Sequence, residues 1–151
     1  MVLDPIAGAV DPSPAALTIA PVASDDVDDY MGVIAEGFDA PFDIVERVFR
    51  GPLLHLGGFT ALLGRLNGVP VATSGLWCSD GVAGVYNVAT LPGHRAKGYG
   101  AAMTWAAANL GRDAGLTQSI LQASAAGEPV CERMGYRTLV RYRQFEGPAR
   151  K

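Results

Sequence analysis

The spacing of apolar residues in the first third of the chain predicts one strand followed by two helices. Residues 17–22 alternate between apolar and polar side chains well enough for a strand. Apolar side chains then recur at helical spacing over 27–38, and Ser24 is placed to cap the N-terminus of this helix. Pro41 can open a second helix at its first position, and Gly51 ends it.

Two turn dipeptides divide the middle of the chain into three strands. Residues 67–68 are Asn-Gly and residues 80–81 are Asp-Gly, and both dipeptides favour tight turns in which φ is positive. The apolar runs that they separate cover 58–66, 69–78 and 82–91. Because strands joined by tight turns run antiparallel, these three are expected to form a meander.

A helix, a strand, a short helix and a final strand are expected in the last third of the chain. The helix covers about 98–113, and because it intervenes, the strand at 117–123 is expected to pair parallel with the sheet. Pro129 opens the short helix, and Gly135 is the expected residue after its C-cap. Residues 136–145 then form the final strand.

These elements indicate an α+β fold, with a mixed, mostly antiparallel sheet of six or seven strands and helices on both faces. Residues 1–16 hold three prolines among alanine and glycine without apolar periodicity, which predicts a flexible N-terminal tail. The chain has 151 residues, about one domain's worth, and shows no internal repeat. Residues 17–151 are therefore expected to form a single domain.

Composition and charge exclude several classes of function. With 49% hydrophobic and 18% charged residues the chain can fill a core, and a net charge of −3 with a pI near 5.2 argues against a nucleic-acid partner. No apolar stretch approaches the length of a membrane span and no signal peptide is evident, so a cytoplasmic location is expected. Cys78 and Cys131 are expected to be reduced thiols, and the His and Cys residues show no metal-ligand spacing.

The segment Arg95-x-x-Gly98-x-Gly100 brings two glycines to the start of the long predicted helix. The first N–H groups of a helix lack intrahelical partners and carry partial positive charge, so they attract an anion, and glycines let a phosphate approach the main chain. Lys97 adds charge to the same turn. The pattern predicts a pyrophosphate cradle. It fits neither a P-loop nor a dinucleotide fingerprint, whose third glycine would stand at Met103.

The same segment resembles motif A of the GCN5-related N-acetyltransferase (GNAT) family, Arg/Gln-x-x-Gly-x-Gly/Ala, with the usual lead-in present as Pro92-Gly-His-Arg95. Residues 121–136 resemble motif B of that family, which ends in Tyr-Glu-x-x-Gly-Phe. The residues that match this ending are Glu132, Arg133, Gly135 and Tyr136. Ser124 stands where the family often has Asn, and Cys131 where it usually has Tyr. With the upstream organisation, the resemblance spans most of the chain.

The resemblance implies a GNAT-like fold, acetyl-CoA as donor without a metal, and a primary amine of a small molecule or protein as acceptor. In the family, pantetheine lies like an extra strand between the strand before motif A and the strand after its helix. Mapped here, backbone groups of Val88, Ala89 and Thr90 would pair with the pantetheine amides. The Val88 N–H would stabilise the negative charge that develops on the thioester oxygen. The other cofactor-binding residues implied are Arg95, Ala96, Lys97, Gly98, Tyr99, Gly100, Ala101 and Ser124.

The catalytic groups are less well determined by the resemblance. Cys131 stands where the family's acid would protonate the departing thiolate, but it is shorter than a phenol, and packing as a small apolar residue is an equal interpretation. No general base is evident, because the acidic residues near expected pocket elements are also typical of solvated helix ends and turns: Glu36, Asp39, Asp43 and Asp80.

Two further hypotheses compete with an acetyltransferase: a non-catalytic module that senses acetyl-CoA, and an acyltransferase that uses a longer acyl-CoA. The Cys131 substitution and the missing base favour the sensing module to some extent, whereas the pyrophosphate cradle fits all three. The sequence leaves the acceptor open, and also whether the chain forms a homodimer.

Overall fold

A computed structural model of the protein describes residues 1–6, 14, 16–50 and 52–143. Within that part of the chain, one sheet contains six strands: β1 (Val2–Leu3), β2 (Leu17–Pro21), β3 (Phe59–Leu66), β4 (Val69–Ser79), β5 (Val82–Thr90) and β6 (Gln118–Leu121). The α-helices of the described residues are α1 (Val27–Phe38), α2 (Phe42–Phe49), α3 (Tyr99–Asp113) and α4 (Glu128–Arg133).

The strands lie in the order β1-β6-β5-β4-β3-β2. Every neighbouring pair is antiparallel except β5 and β6, which run parallel because α3 connects them. Both predicted tight turns are present, since Asn67, Gly68, Asp80 and Gly81 all have positive φ. The predicted α+β fold with a mixed, mostly antiparallel sheet is therefore confirmed.

Helices cover both faces of the sheet. Successive side chains of a strand point to opposite faces. On β4, the Ser74 hydroxyl donates to the Met103 carbonyl of α3, 2.9 Å away, whereas the next residue, Gly75, lies beneath Phe59 and Tyr30 on the other face. One core cluster accordingly contains the buried side of α3, and a second contains buried side chains of α1 and α2.

Val2 and Leu3 form an edge strand of the sheet and Ile6 is held by a backbone bond to Thr117, so the expected flexible tail is wrong for residues 1–6. Val2 and Leu3 pair antiparallel with Ile120 and Ser119 of β6, and Val2, Leu3 and Ile6 are buried. A two-residue strand is too short to show periodicity, which is why composition alone suggested a tail. Residues 7–13 and 15 lie outside the described part of the chain.

The expected final strand over 136–145 is also wrong within the described residues. Arg137 forms only an isolated bridge with Val2, and 138–143 have no regular secondary structure. The N-terminal residues explain this result, because β1 already occupies the edge of β6 on which another strand would pair.

A smaller correction concerns Ser24, which begins a 3-10 turn, whereas Asp26 holds the N-cap position of α1.

Candidate functional site

The parallel strands β5 and β6 separate halfway along the sheet. Their pairing runs from Val82 opposite Gln118 to Val85 opposite Leu121. Beyond that point β5 continues to Thr90, whereas the chain leaves the sheet after Leu121. The backbone of 86–90 therefore has an edge without a β6 partner among the described residues. Val88, Ala89 and Thr90, the residues assigned to pantetheine, lie on this edge.

A β-bulge lies at the point where the two strands part. Thr73 of β4 is opposite Ala89, whereas Gly75 is opposite Tyr86, so Ser74 alone faces both Asn87 and Val88. Asn87 has φ of 53°, in the left-handed region that Asn enters more easily than most residues. The Thr73 hydroxyl donates to the Asn87 carbonyl across 2.9 Å. Bulges redirect the backbone groups next to them, here those of Val88.

A buried tyrosine supports the bulge from α1. The Tyr30 side chain is fully buried, and its hydroxyl donates to the Ser74 carbonyl over 3.4 Å. Burial raises the pKa of Tyr30 well above its usual range, although a hydrogen bond with the Asn87 side chain opposes that shift. Tyr30 is therefore a neutral hydrogen-bonding residue that fixes the backbone at the bulge.

The turn between β5 and α3 has the backbone form of an anion-binding loop. Ala96 and Gly98 both have positive φ, of 60° and 83°, and Gly98 is the N-cap of α3. The first helical backbone bond after this cap runs from the Ala102 N–H to the Gly98 carbonyl, so the preceding N–H groups are without intrahelical acceptors. Apart from its chain neighbours and the backbone of its own helix, a Cβ added at Gly100 would meet no described atom closer than the Thr90 hydroxyl oxygen, at 3.8 Å. The turn can therefore hold a phosphate group against its main chain.

The Arg95 side chain is engaged with the protein itself. Its guanidinium donates to the Thr90 carbonyl at 3.2 Å and to the Gly37 carbonyl, in the last turn of α1, at 2.8 Å. A cation at a helix C-terminus is favourable, so Arg95 joins the turn to α1. Lys97 makes one exposed contact of 3.2 Å with the Gly93 carbonyl. The sequence pattern predicted that Arg95 and Lys97 both add positive charge to the turn. It did not show that Arg95 also holds the turn against α1.

The remaining assigned residues of the turn and of motif B differ in exposure. Tyr99 is buried in the core, and Ala101 is half-buried in the first turn of α3. Ser124 is exposed, and its hydroxyl accepts the Gly127 N–H at 3.2 Å in the turn before α4. The His94 Nδ1 atom is buried and has no hydrogen-bond partner among the described residues.

Cys131 lies in the core, with only 8% of its surface exposed. It belongs to the same apolar cluster as Leu3, Ile6 and Tyr136. Burial raises the pKa of the Cys131 thiol, which keeps it protonated at neutral pH. The nearby Tyr136 hydroxyl bonds the Ser119 hydroxyl at 2.7 Å, and burial raises the pKa of Tyr136 to about 12. This environment favours the packing interpretation of Cys131.

A pocket of about 380 Å³ opens on the other face of the sheet, beside α2. We call it the aromatic pocket. Its lining residues are Val48, Phe49, Leu53, Phe59, Trp77, Tyr86 and Asn87. Asn87 links it directly to the bulge. None of these residues was predicted from the sequence to belong to a site.

None of the acidic residues considered as a general base lines the aromatic pocket. Asp43 pairs with Arg47 on the exposed side of α2, and Asp80 accepts a bond from the Ser79 hydroxyl in a hairpin turn. Glu36 and Asp39 are exposed near the end of α1.

Within the described ranges, no group of three His, Cys, Asp or Glu side chains could hold a metal ion. No described helix is both long and apolar enough to cross a membrane.

Comparison with known proteins gives one family. The model of the acetyltransferase (GNAT) family matches residues 27–136. The aminoglycoside N-acetyltransferase AAC(6')-Iy, solved with the bisubstrate analog CoA-S-monomethyl-acetylneamine, has a similar structure, with a TM-score of 0.72 and 14% identity over 88% of this chain and 99% of that chain. No curated protein matches the chain.

Two further solved structures have the same fold. A predicted acetyltransferase from Clostridium acetobutylicum, solved with acetyl-CoA, has a TM-score of 0.70 and 16% identity, over 86% of this chain and 96% of that chain. A GCN5-related N-acetyltransferase from Kribbella flavida has a TM-score of 0.67 and 28% identity. The match covers 90% of this chain and only 52% of the Kribbella flavida chain.

Proposed function

Because the chain belongs to the GNAT acetyltransferase family, we propose that it transfers an acetyl group from acetyl-CoA to a primary amine. One arrangement supports this proposal most directly. The unpaired edge of β5 at 86–90 leads, within one short turn, to the positive-φ residues Ala96 and Gly98 at the start of α3. An extended chain with a pyrophosphate at one end fits such a combination.

We assign the donor to this strand edge and turn. Val88, Ala89 and Thr90 would pair with pantetheine, and the N–H groups from Arg95 to Ala101 would hold the pyrophosphate. The free space above Gly100 is consistent with a close approach of phosphate to the main chain. Ser124 is the weakest of these assignments, since its hydroxyl already accepts the Gly127 N–H.

We assign the acceptor to the aromatic pocket, because Asn87 borders it and is adjacent to Val88. The neutral amine nitrogen attacks the thioester carbon, so a C–N bond forms and the C–S bond breaks. One proton leaves the nitrogen and one ends on the coenzyme A sulfur, giving an amide and a free thiol. The Val88 N–H would stabilise the oxygen while it carries negative charge.

Cys131 is assigned no more than a packing role in this scheme, because it is buried in the core. A coenzyme A thiolate can leave without a dedicated acid, and water can accept the amine proton. A sensor that binds acetyl-CoA without turnover is the second candidate. It is favoured by one observation: the described lining of the aromatic pocket contains no carboxylate or imidazole that could serve as base.

The substitution Gly100→Val tests the donor site. We expect acetyl-CoA affinity to fall at least about tenfold, or about 1.4 kcal/mol, because the added branch fills the space assigned to phosphate. Gly32→Val is the matched control, since Gly32 is also helical and a Cβ there meets nothing within 4 Å. Gly98→Val is less informative, because its φ of 83° would strain any side chain.

Calorimetry of both folded variants gives the affinities, and thiol release over a broad amine panel gives turnover. Unchanged affinity in Gly100→Val would refute the donor site. Tight acetyl-CoA binding by the wild type without turnover of any amine would refute the transferase and support the acetyl-CoA sensor.

A further inference from the structure

Two glycines on neighbouring strands lie beneath rings that line the aromatic pocket. A Cβ added at Gly75 would lie 2.9 Å from the Phe59 ring, and one added at Gly84 would lie 2.6 Å from the Tyr86 ring. Both contacts are too close for any larger residue to fit without displacing a ring. The rings of Phe59 and Tyr86 can therefore lie this close to the sheet only because Gly75 and Gly84 carry no side chain.

Trp77 completes the aromatic lining between these two rings. It is opposite Phe59 on β3 and opposite Gly84 on β5, so it occupies the strand between the two rings. The Phe59 and Trp77 ring centroids are 6.1 Å apart at an interplanar angle of 42°. Tyr86 remains 42% exposed, so its ring forms the wall of an open cavity and not part of the core. On the opposite side, α2 and the following 3-10 turn add aliphatic and aromatic carbon from Val48, Phe49 and Leu53.

The charged side chains of α2 and of its C-cap are paired with one another or with α1, and none of them lines the pocket. On α2, Asp43 pairs with Arg47 and Glu46 with Arg50, and Arg50 also contacts Asp28 of α1 at 2.6 Å. The lining residues themselves carry no charge. If a ligand carried a second ammonium group into this cavity, that group would lose its hydrating water without gaining a carboxylate partner. Such a loss is costly in free energy. A single ammonium can instead be held against ring faces, at a gain of about 0.5–2 kcal/mol.

We infer that the aromatic pocket accepts a primary amine carried on a short arm by one apolar ring system. This inference rests on the proposed function, because it names the acceptor class of that site. The ring lies among Phe59, Trp77 and Tyr86, and the amine points towards Asn87, the lining residue next to Val88. The volume of about 380 Å³ lies within the range of small-molecule sites, and its lining disfavours polyamines, aminoglycosides and lysine-bearing peptides.

Steady-state turnover with acetyl-CoA and four amines tests the inference: 2-phenylethylamine, spermidine, neamine and a lysine-containing peptide. We expect kcat/KM for 2-phenylethylamine to exceed the other three at least about tenfold. Trp77→Ala should lower that value at least about tenfold and leave acetyl-CoA affinity unchanged. Val69→Ala is the control, because Val69 lies on the same strand, 59% exposed and outside the pocket. If Trp77→Ala does not fold, the exposed Tyr86→Ala replaces it.

Calorimetric titration of 2-phenylethylamine into the protein with coenzyme A separates this inference from the proposed function. Binding that Trp77→Ala weakens, without turnover of any amine, would support the pocket's ligand class and refute the transferase. Faster acetylation of spermidine, neamine or the peptide would overturn the inference and leave the transferase intact. A gain of tenfold or more in affinity for hexanoyl-CoA over acetyl-CoA, lost in Trp77→Ala, would also overturn it, because the pocket would then hold an acyl chain.

Discussion

The proposed donor and acceptor sides of the site are built from different parts of the polypeptide. On the donor side, the features that matter are main-chain features: a strand edge at 86–90 that no described strand pairs with, two positive φ values and the N-terminus of α3. On the acceptor side they are side chains, contributed by α2, a 3-10 turn and three strands. The donor side is thus encoded by consecutive residues, whereas the acceptor side exists only after distant segments pack together.

This difference predicts how each side responds to substitution. The donor side should be sensitive to changes in backbone conformation and to added volume at Gly100, and tolerant of most other side-chain changes. The aromatic pocket should respond to removal of ring volume, with acetyl-CoA affinity preserved. Asn87 belongs to both sides, since it forms the bulge and also lines the pocket.

Asn87→Val should have the largest effect, because it changes the residue shared by both sides. A β-branched side chain at φ of 53° is strained, and we expect a loss of about 1–3 kcal/mol in the free energy of unfolding. Displacement of the neighbouring Val88 N–H should lower turnover about a hundredfold. Chemical denaturation and steady-state kinetics measure the two effects.

Asn87→Gly is the matched control for this prediction, because glycine adopts positive φ without strain. It should keep the acetyl-CoA affinity while losing the amide in the pocket. Wild-type stability and turnover in Asn87→Val would show that the bulge does not position the site.

Arg95→Ala should have an intermediate effect that is confined to the donor side. It removes the bonds to the Thr90 and Gly37 carbonyls, which hold the turn against α1. We expect stability to fall by about 0.3–1 kcal/mol, the usual value of an exposed cation at a helix C-terminus, and acetyl-CoA affinity to fall modestly. Lys97→Ala, which removes one exposed contact with Gly93, should change both less. Equal effects of the two variants, by denaturation and calorimetry, would show that only net charge matters.

Cys131→Ala should have the smallest effect on turnover, because the thiol is packed in the core. We expect a loss of about 1 kcal/mol in stability and a change in turnover far below the 10²–10⁴-fold typical of a general acid. A thousandfold loss of turnover with unchanged acetyl-CoA binding would instead establish the thiol as the acid.

The stabilising effect of Cys131 should also depend on pH. Burial raises the pKa of its thiol above the unfolded value of about 8.5. As pH rises past that value, the unfolded chain releases the proton first, so the wild type loses stability. The stability difference between wild type and Cys131→Ala should therefore shrink between neutral and alkaline pH in denaturation experiments. A constant difference would contradict the buried, neutral thiol.

Local chemistry allowed much of the fold, and the start of α3 after a glycine-bearing turn, to be predicted from sequence. Asn-Gly and Asp-Gly set the two hairpins, and both turns have the expected positive φ. The glycines at 98 and 100 marked the start of α3, and the helix between β5 and β6 implied their parallel pairing. Each of these features depends on residues close together in sequence, where backbone preference outweighs long-range packing.

Tertiary structure decided the features that depend on distant residues. Residues 2–3 pair with β6 more than a hundred positions later, and their place at its edge leaves no final strand among the described residues after Tyr136. Arg95 joins α1 through a carbonyl 58 residues away, and the aromatic pocket gathers rings from β3, β4 and β5 over glycines. Such contacts arise from the close packing of whole elements, which local periodicity does not encode.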